Sequence, residues 1–346
     1  MSRRAAYIDA GIGETRGVVL LDGFPERLVI ERDGADPMDQ PGAKAVARIR
    51  KIEKAFSAAF VELPGGADAM LPIKPDGPQL HQGQAVAVEL RSQARRGKSA
   101  LVRLLEPAEG PPRLLEAAPG LADRLAHWAK AQPLTGAQAR EAADAAEEAV
   151  LAVVHALPGG GTISIEPTRA LVAIDIDLGD RPGTEAKRAA RAANLAALAA
   201  ASRLLRLKAL GGIIIFDLIG RGHDGAALTA AARAAFTPDN PGVAIGPISK
   251  FGTLEMIVPR QRRPVAEDLL DEAGFPTPLT GALRLARLLE REGRAAPGAR
   301  LLGRCDSATA AAFAAVQGGL TEKLGARFAL EAQRDWPAGR IEASSR

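Results

Sequence analysis

The sequence predicts a mixed α/β fold: an α/β core interrupted by a small closed β-barrel and followed by a small second α/β unit. Three observations predict it. Residues 40 to 106 hold five short strand candidates separated by turn residues, the pattern of a small closed barrel such as an OB-fold. From "GGGTISIEPTRALVAIDIDLGD" through "GTEAKRAARAANLAALAAASRLLRLKALGG" to "IIIFDLIG", the chain reads strand, long helix, strand, a βαβ unit whose flanking strands should be parallel neighbours. Beyond Arg263 the segments "LTGALRLARLLEREG", "ARLLGRC", "SATAAAFAAVQGGLTEKLG" and "RFALEAQR" alternate helix and strand again in a small unit of their own.

In chain order, "AAYIDAGIGETRGVVLLDGFPERLVIER" alternates with breaks at Gly11, Gly13, Gly23 and Pro25, which predicts two or three antiparallel strands. The barrel strands follow as "KAVARIRKIEK", "SAAFVELP", "DAMLPI", "GQAVAVELRSQ" and "GKSALVRLLE", closed by "PAEGPP". Residues 113 to 156 are rich in Ala, Leu, Glu and Arg at helical periodicity and predict helices throughout. The long helix of the βαβ unit ends at a glycine pair. "VAIGPIS" and "TLEMIVP" then extend the sheet, and a short helix marked by a proline leads to the last unit. No internal repeat is visible.

The chain has 346 residues, 47% hydrophobic and 25% charged, enough for a core in each of two or three domains. Only 3% are aromatic, so the core must be aliphatic. A net charge of +4 permits a polyanionic partner without demanding one. A single cysteine, Cys305, excludes an intrachain disulfide or a multi-cysteine zinc site. The start, "MSRRAAYIDAGIGETRG", lacks the apolar run of a secretory leader, and no apolar stretch approaches the ~20 residues of a membrane span, so the expectation is a cytoplasmic protein with no membrane partner.

The stretch "ALVAIDIDLGD" places Asp175 and Asp177 two apart on a strand, hence toward one side. With Asp217 at the end of the adjacent parallel strand, three carboxylates can approach across the ~4.8 Å strand spacing. Clustered carboxylates repel, and a hard divalent cation such as Mg²⁺ is the usual remedy. The alternative is that all three merely end strands and cap turns. The four histidines, His81, His127, His155 and His223, show no zinc or triad spacing. Lys250, Arg260, Arg262 and Arg263 flank the last core strands and suit RNA phosphates or a solvated basic edge. Asn194 suits the site or the surface of its helix, and Glu255 suits orienting a base or pairing with an arginine.

The run "IEPTRALVAIDIDLGD…NLAALAAASRLLRLKALGGIIIFDLIG…GPISKFGTLEMIVPRQR" resembles the catalytic core of the ribonuclease E/G family of bacterial endoribonucleases, whose pattern there is "TEAL-x-x-ID-x-N", then "NLEAA…GG-I-I-x-IDFI-D", then "SR-x-G-L-x-E". "RIRKIEKAFSAAFVELPGGADAMLPI" is similar to that family's S1-type OB-fold. The resemblance implies an RNase H-like α/β core with an inserted S1-type OB-fold barrel and a small C-terminal α/β domain. The boundaries are 1–36 for the N-terminal strands of that core, 37–108 for the barrel, 109–156 for a helical connector, 157–265 for the catalytic core, and 266–346 for the linker and C-terminal domain. It implies Mg²⁺-dependent hydrolysis of single-stranded RNA in RNA processing or decay, with Asp175 and Asp217 as metal ligands and Asp177 in support. Phe60 falls on the family's base-stacking position, while Lys51, Lys54, Arg95, Arg96 and Lys98 supply charge to the barrel.

Departures limit the carry-over. Met70 stands where the family has a second stacking phenylalanine, Arg169 where it has a glutamate, and Asp177 where it has an asparagine. The segment that senses a 5′-monophosphate has no counterpart, and "EDLLDEAGFPTPLT" replaces the cysteine linker, so no structural zinc is expected, though a homo-oligomer of another kind is open. Two readings follow: a compact endoribonuclease, or a non-catalytic RNA-binding factor in ribosomal RNA maturation.

Overall fold

The computed structural model describes residues 3–179, 185–220, 222 and 224–346; Asp180, which ends the acidic stretch, and His223 lie outside the described residues. Strands β1 (Arg4–Ala10), β2 (Glu14–Leu21) and β3 (Phe24–Arg32) form a three-stranded antiparallel sheet. Asp22 and Gly23 make the tight β2–β3 turn with φ of 51° and 86°, the double positive-φ geometry that matches strand twist in a two-residue hairpin.

The predicted barrel is present. β4 (Lys44–Glu53), β5 (Ala58–Glu62), β6 (Asp68–Pro72), β7 (Ala85–Ser92) and β8 (Ala100–Pro107) close in the order β4-β5-β6-β8-β7 and back to β4. Its interior is aliphatic, with Ala47, Ile49, Val61, Leu71, Val88, Leu90 and Val102 among the buried side chains. β9 (Arg113–Glu116) pairs with the part of β4 that β5 leaves open. The segment 109–156 is therefore not helical throughout. It begins with β9, continues as α1 (Leu121–Ala129) and α2 (Ala137–Leu151), and ends in β10 (Val154–Ala156), which pairs with β11 (Thr162–Pro167). Both short strands were hidden because pairing with a distant partner, not local periodicity, makes them.

The central sheet contains β10, β11, β12 (Val172–Asp177), β13 (Gly212–Asp217), β15 (Thr253–Val258) and β14 (Ala244–Ile248), in that spatial order. As the βαβ reading requires, β12 and β13 are parallel, joined through α3 (Ala186–Lys208). α4 (Gly225–Phe236) follows β13. α3 buries Ala189, Ala193, Ala197 and Ala201 at four-residue spacing, a small-residue stripe that permits close approach. One continuous core takes in Val18, Leu28 and Ile30 of the β1–β3 sheet, α2, α3, α4 and the inner face of the central sheet. Among the described residues the β1–β3 sheet shares no ladder with the central sheet, β1 adding an isolated bridge from Tyr7 to Leu134, and the two sheets meet through helices. Phe216 of β13 meets Phe236 of α4 edge to face at 6.3 Å, a contact whose truncation would cost about 3–5 kcal/mol.

α5 (Val265–Leu269) leads to the last unit, in which α6 (Pro278–Ala295), α7 (Ser307–Ala312) and α8 (Ala314–Leu324) pack on a sheet of β17 (Phe328–Gln333), β16 (Leu301–Asp306) and β18 (Ile341–Ser345). The predicted single helix at 307–325 is two, and β18 is an addition to the sequence reading. A buried ion network bolts this unit to the core. Arg16 on β2, 2% exposed, bonds Asp9 at 2.6 Å, Asp144 at 2.9 Å and Glu147 at 3.1 Å, and Arg284 of α6 reaches Glu147 at 2.6 Å. No helix among the described residues is long and apolar enough to cross a membrane.

Candidate active site

The alternation of β12 decides where its acids go. Val172, Ile174 and Ile176 face the core, so Ala173, Asp175 and Asp177 face outward. Asp175 and Asp177 do share one side, as the spacing predicts, but that side is exposed rather than buried. The parallel register pairs Ile174 with Phe216, so the next residues, Asp175 and Asp217, finish side by side on neighbouring strands. Ser164 of β11 lies opposite Asp175, and Thr253 of β15 opposite Asp217, which makes one lateral row of two hydroxyls flanking two carboxylates. The next row back is Glu166, Ala173, Ile215 and Glu255, and behind it the half-exposed Ile213 and Ile257.

Among the described residues neither the Asp175 nor the Asp217 carboxylate has a hydrogen bond or ion pair. Asp177 is committed locally: its carboxylate accepts the Gly179 N–H at 2.7 Å, the turn-capping role of the alternative reading. Gly161 permits that turn, because a Cβ there would stand 2.2 Å from the Asp177 carbonyl oxygen. No group of three His, Cys, Asp or Glu among the described residues is placed to hold a metal. The available donor set is therefore the pair Asp175 and Asp217. Two carboxylates with open water positions suit Mg²⁺, which keeps several waters and binds through one or two carboxylates.

Asn194 is neither at the surface nor at the site. It is 1% exposed, and its amide donates to the Ile219 carbonyl at 3.1 Å and accepts the Ile219 N–H at 3.0 Å, fixing the loop just past Asp217 to α3. Glu255 is exposed on the same sheet face as the acid pair, one row removed.

The predicted RNA-contact residues fall in three places. Lys250 occupies the β14–β15 turn at the carboxylate end of the sheet, where Leu218 N–H donates to the Gly252 carbonyl at 3.2 Å. Its ammonium lies 5.0 Å from the ring of Phe251, an 81% exposed aromatic that the sequence reading did not single out. The signal was a lone phenylalanine between turn residues in "SKFG".

Arg95, Arg96, Lys98 and Arg260 gather at the other end, around the start of β12 and β13, roughly 16 Å away along the strands. There a cleft of ≈ 930 Å³ also takes in Arg169. Two of these cations are structural pins. Arg96 holds the α5 segment, its backbone N–H donating to Glu267 at 2.8 Å and its guanidinium to the Leu270 carbonyl, and Arg260 donates to the Gly211 carbonyl at 2.6 Å. Arg262 donates to the Leu28 carbonyl at 3.2 Å, with burial pushing its pKa down to about 10, and Arg263 pairs with Asp39. Gln93 secures the barrel to the core, donating its N–H to the Gln261 carbonyl at 3.0 Å and accepting the Arg263 N–H at 3.0 Å.

On the barrel, Phe60 is half-buried on the outer surface rather than in the core. Lys51, Phe60, Met70 and Leu101 lie opposite one another across β4, β5, β6 and β8, an apolar row ending in a cation that pairs with Glu53. Lys54 sits in the turn after β4.

Residues 113–263 match the family model described as "Ribonuclease E/G family". The chain is 40% identical over 104 residues to ribonuclease E of Buchnera aphidicola subsp. Acyrthosiphon pisum, a stretch that is 29% of this chain and 11% of the relative. It is 39% identical over 103 residues to ribonuclease E of Escherichia coli, covering 29% of this chain and 10% of the relative. With ribonuclease E of Synechocystis sp. the identity is 30% over 130 residues, 37% of this chain and 19% of the relative. The matched stretch thus spans between 10% and 27% of the relatives' own lengths. The region matched by the family model contains both outward-facing aspartates, the helix between them and the strands that hold them, and over this span the chain is similar to the ribonuclease E/G family.

Proposed function

We propose that the chain is a Mg²⁺-dependent endoribonuclease acting on single-stranded RNA in cytoplasmic RNA processing or decay. The observation that carries the reading is the unpartnered pair Asp175 and Asp217, side by side on an exposed sheet face between two hydroxyl residues. Carboxylates kept this way destabilise the fold by mutual repulsion, so their placement argues for a charged ligand. Asp175 and Asp217 would hold the divalent cation, which would supply water activation and charge stabilisation at the phosphate for hydrolysis to a 5′-phosphate and a 3′-hydroxyl. Asp177 orients the loop beyond β12.

Phe251 and Lys250 offer a stacking surface and a phosphate contact beside the acid pair, and Arg95, Lys98 and Arg169 offer phosphate contacts at the far end of the sheet. Phe60 with Lys51 provides the barrel's single-strand platform. The meander β10-β11-β12, joined through α3 to a parallel β13, supports the RNase H-like description of the core, and the five-stranded ring supports the S1-type description of the barrel.

The test is cleavage of a short 5′-labelled single-stranded RNA with Mg²⁺ or EDTA, beside Asp175→Asn and Asp217→Asn. The expected result is Mg²⁺-dependent cutting that disappears in both variants while RNA affinity is retained. Binding without cutting by the wild-type chain would leave the RNA-binding factor as the working description.

A further inference from the structure

Just past the acid pair, the chain encloses a space that the proposed metal chemistry does not use. Leu178 follows Asp177, and Ile219 comes two residues after Asp217; with Ala190 of α3 and Leu228 of α4 they line a cavity of ≈ 530 Å³ at the carboxyl ends of β12 and β13. Ala190 is 9% and Leu228 1% exposed, so the wall is set by packed helices. Asn194, the one amide among the described lining residues, is held by a bond in each direction with Ile219. Charge in the lining comes from Lys187 and Arg191, both exposed on the first turns of α3, and from Asp224, whose carboxylate caps α4 by accepting the Ala227 N–H at 3.1 Å. Apolar walls, two cations against one capping carboxylate at the rim and a volume within the ordinary range for a small organic ligand describe a site for an apolar group carrying an anionic substituent.

We infer that this cavity receives the nucleobase of the nucleotide adjoining the scissile phosphodiester, with Lys187 and Arg191 on its phosphate. The inference rests on the ribonuclease reading above. Asn194 is fixed by its two bonds to Ile219 and the walls around it are apolar, so the subsite selects chiefly by the shape and stacking of the base. The lining residues Leu178 and Ile219 lie three and two residues beyond Asp175 and Asp217, at the same carboxyl ends of β12 and β13.

The experiment uses the full chain with Mg²⁺ and 5′-labelled single-stranded RNAs that differ in one nucleotide at either side of the mapped cut, including an abasic ribose at each position. Ala190→Leu fills the cavity from its wall, and Ala186→Leu fills it from an exposed lining position on the first helical turn, where folding is not at risk. The expected result is a loss of about tenfold in kcat/KM on RNAs with a base at the recognised position, with cutting of the abasic RNA held within about twofold. An unchanged ratio between base-bearing and abasic RNA in both variants overturns the subsite while leaving the ribonuclease reading intact. If the wild-type chain cuts none of the RNAs, the ribonuclease reading fails and the subsite falls with it.

Discussion

Replacing Asp217 by asparagine should separate metal holding from fold holding. In the described structure Asp175 and Asp217 carry like charges on adjacent strands with no compensating cation. At the ~4.8 Å strand spacing their repulsion is about 0.9 kcal/mol if solvent screens it as bulk water does, and about 3.5 kcal/mol at the effective dielectric of a protein surface. Both side chains are exposed, so the lower figure is nearer. Without divalent metal, Asp217→Asn should therefore be as stable as the wild-type chain or more so, by about 1 kcal/mol. With Mg²⁺ at ten times its Kd, the wild-type chain should gain about 1.4 kcal/mol and the variant little. The assay is urea unfolding of both proteins in EDTA and across a Mg²⁺ titration. A variant clearly less stable than wild type in EDTA would mean that Asp217 holds the fold, and an undiminished Mg²⁺ gain would place the metal elsewhere. Either result refutes the argument.

Three further outcomes are expected. Phe60→Ala should weaken binding of a labelled single-stranded oligonucleotide by about 1–3 kcal/mol in fluorescence anisotropy without loosening the barrel, because the ring lies on the outer surface; unchanged affinity would remove it from the RNA platform. Arg16→Met should destabilise the chain by about 3–5 kcal/mol in urea unfolding, since it strands the buried Asp9 and Glu147 without their shared cation; a loss below about 1 kcal/mol would mean that α6 arginines suffice. Burial, reinforced by Lys208 and Arg203, pushes the His155 pKa from 6.5 down to about 4, so between those values the unfolded imidazole holds a proton that the folded one lacks and stability falls as the pH drops. His155→Gln should lose less stability than wild type between about pH 7 and pH 4.5, and equal losses would show that other groups carry the acid sensitivity.

Much of the site was legible because strand periodicity is local. "LVAIDID" alternates strictly, which puts both aspartates on one face whatever the partner strands are. The long helix between Asp177 and Asp217 forces a parallel return, and the handedness of such crossovers brings the second strand alongside the first. The barrel was legible in turn spacing. What escaped were segments whose structure depends on remote pairing: β9 against β4, β10 against β11, and β18 against β16.

The sequence alone determined the alternation of the acids, the βαβ connection and the aliphatic makeup of the core, since each follows from side-chain period, chain length or composition. Only the tertiary structure decided which residues would work together. It set Phe251 beside the acid pair and Phe60 on the outside of the barrel, and it turned Arg96, Arg260, Arg262 and Arg263 into pins that join units of the fold. It also drew Asn194 inward to clamp the loop after Asp217. An arginine's role depends on which carbonyl or carboxylate the folded chain brings within about 3 Å of it, and that distance is a property of long-range packing that no local pattern encodes.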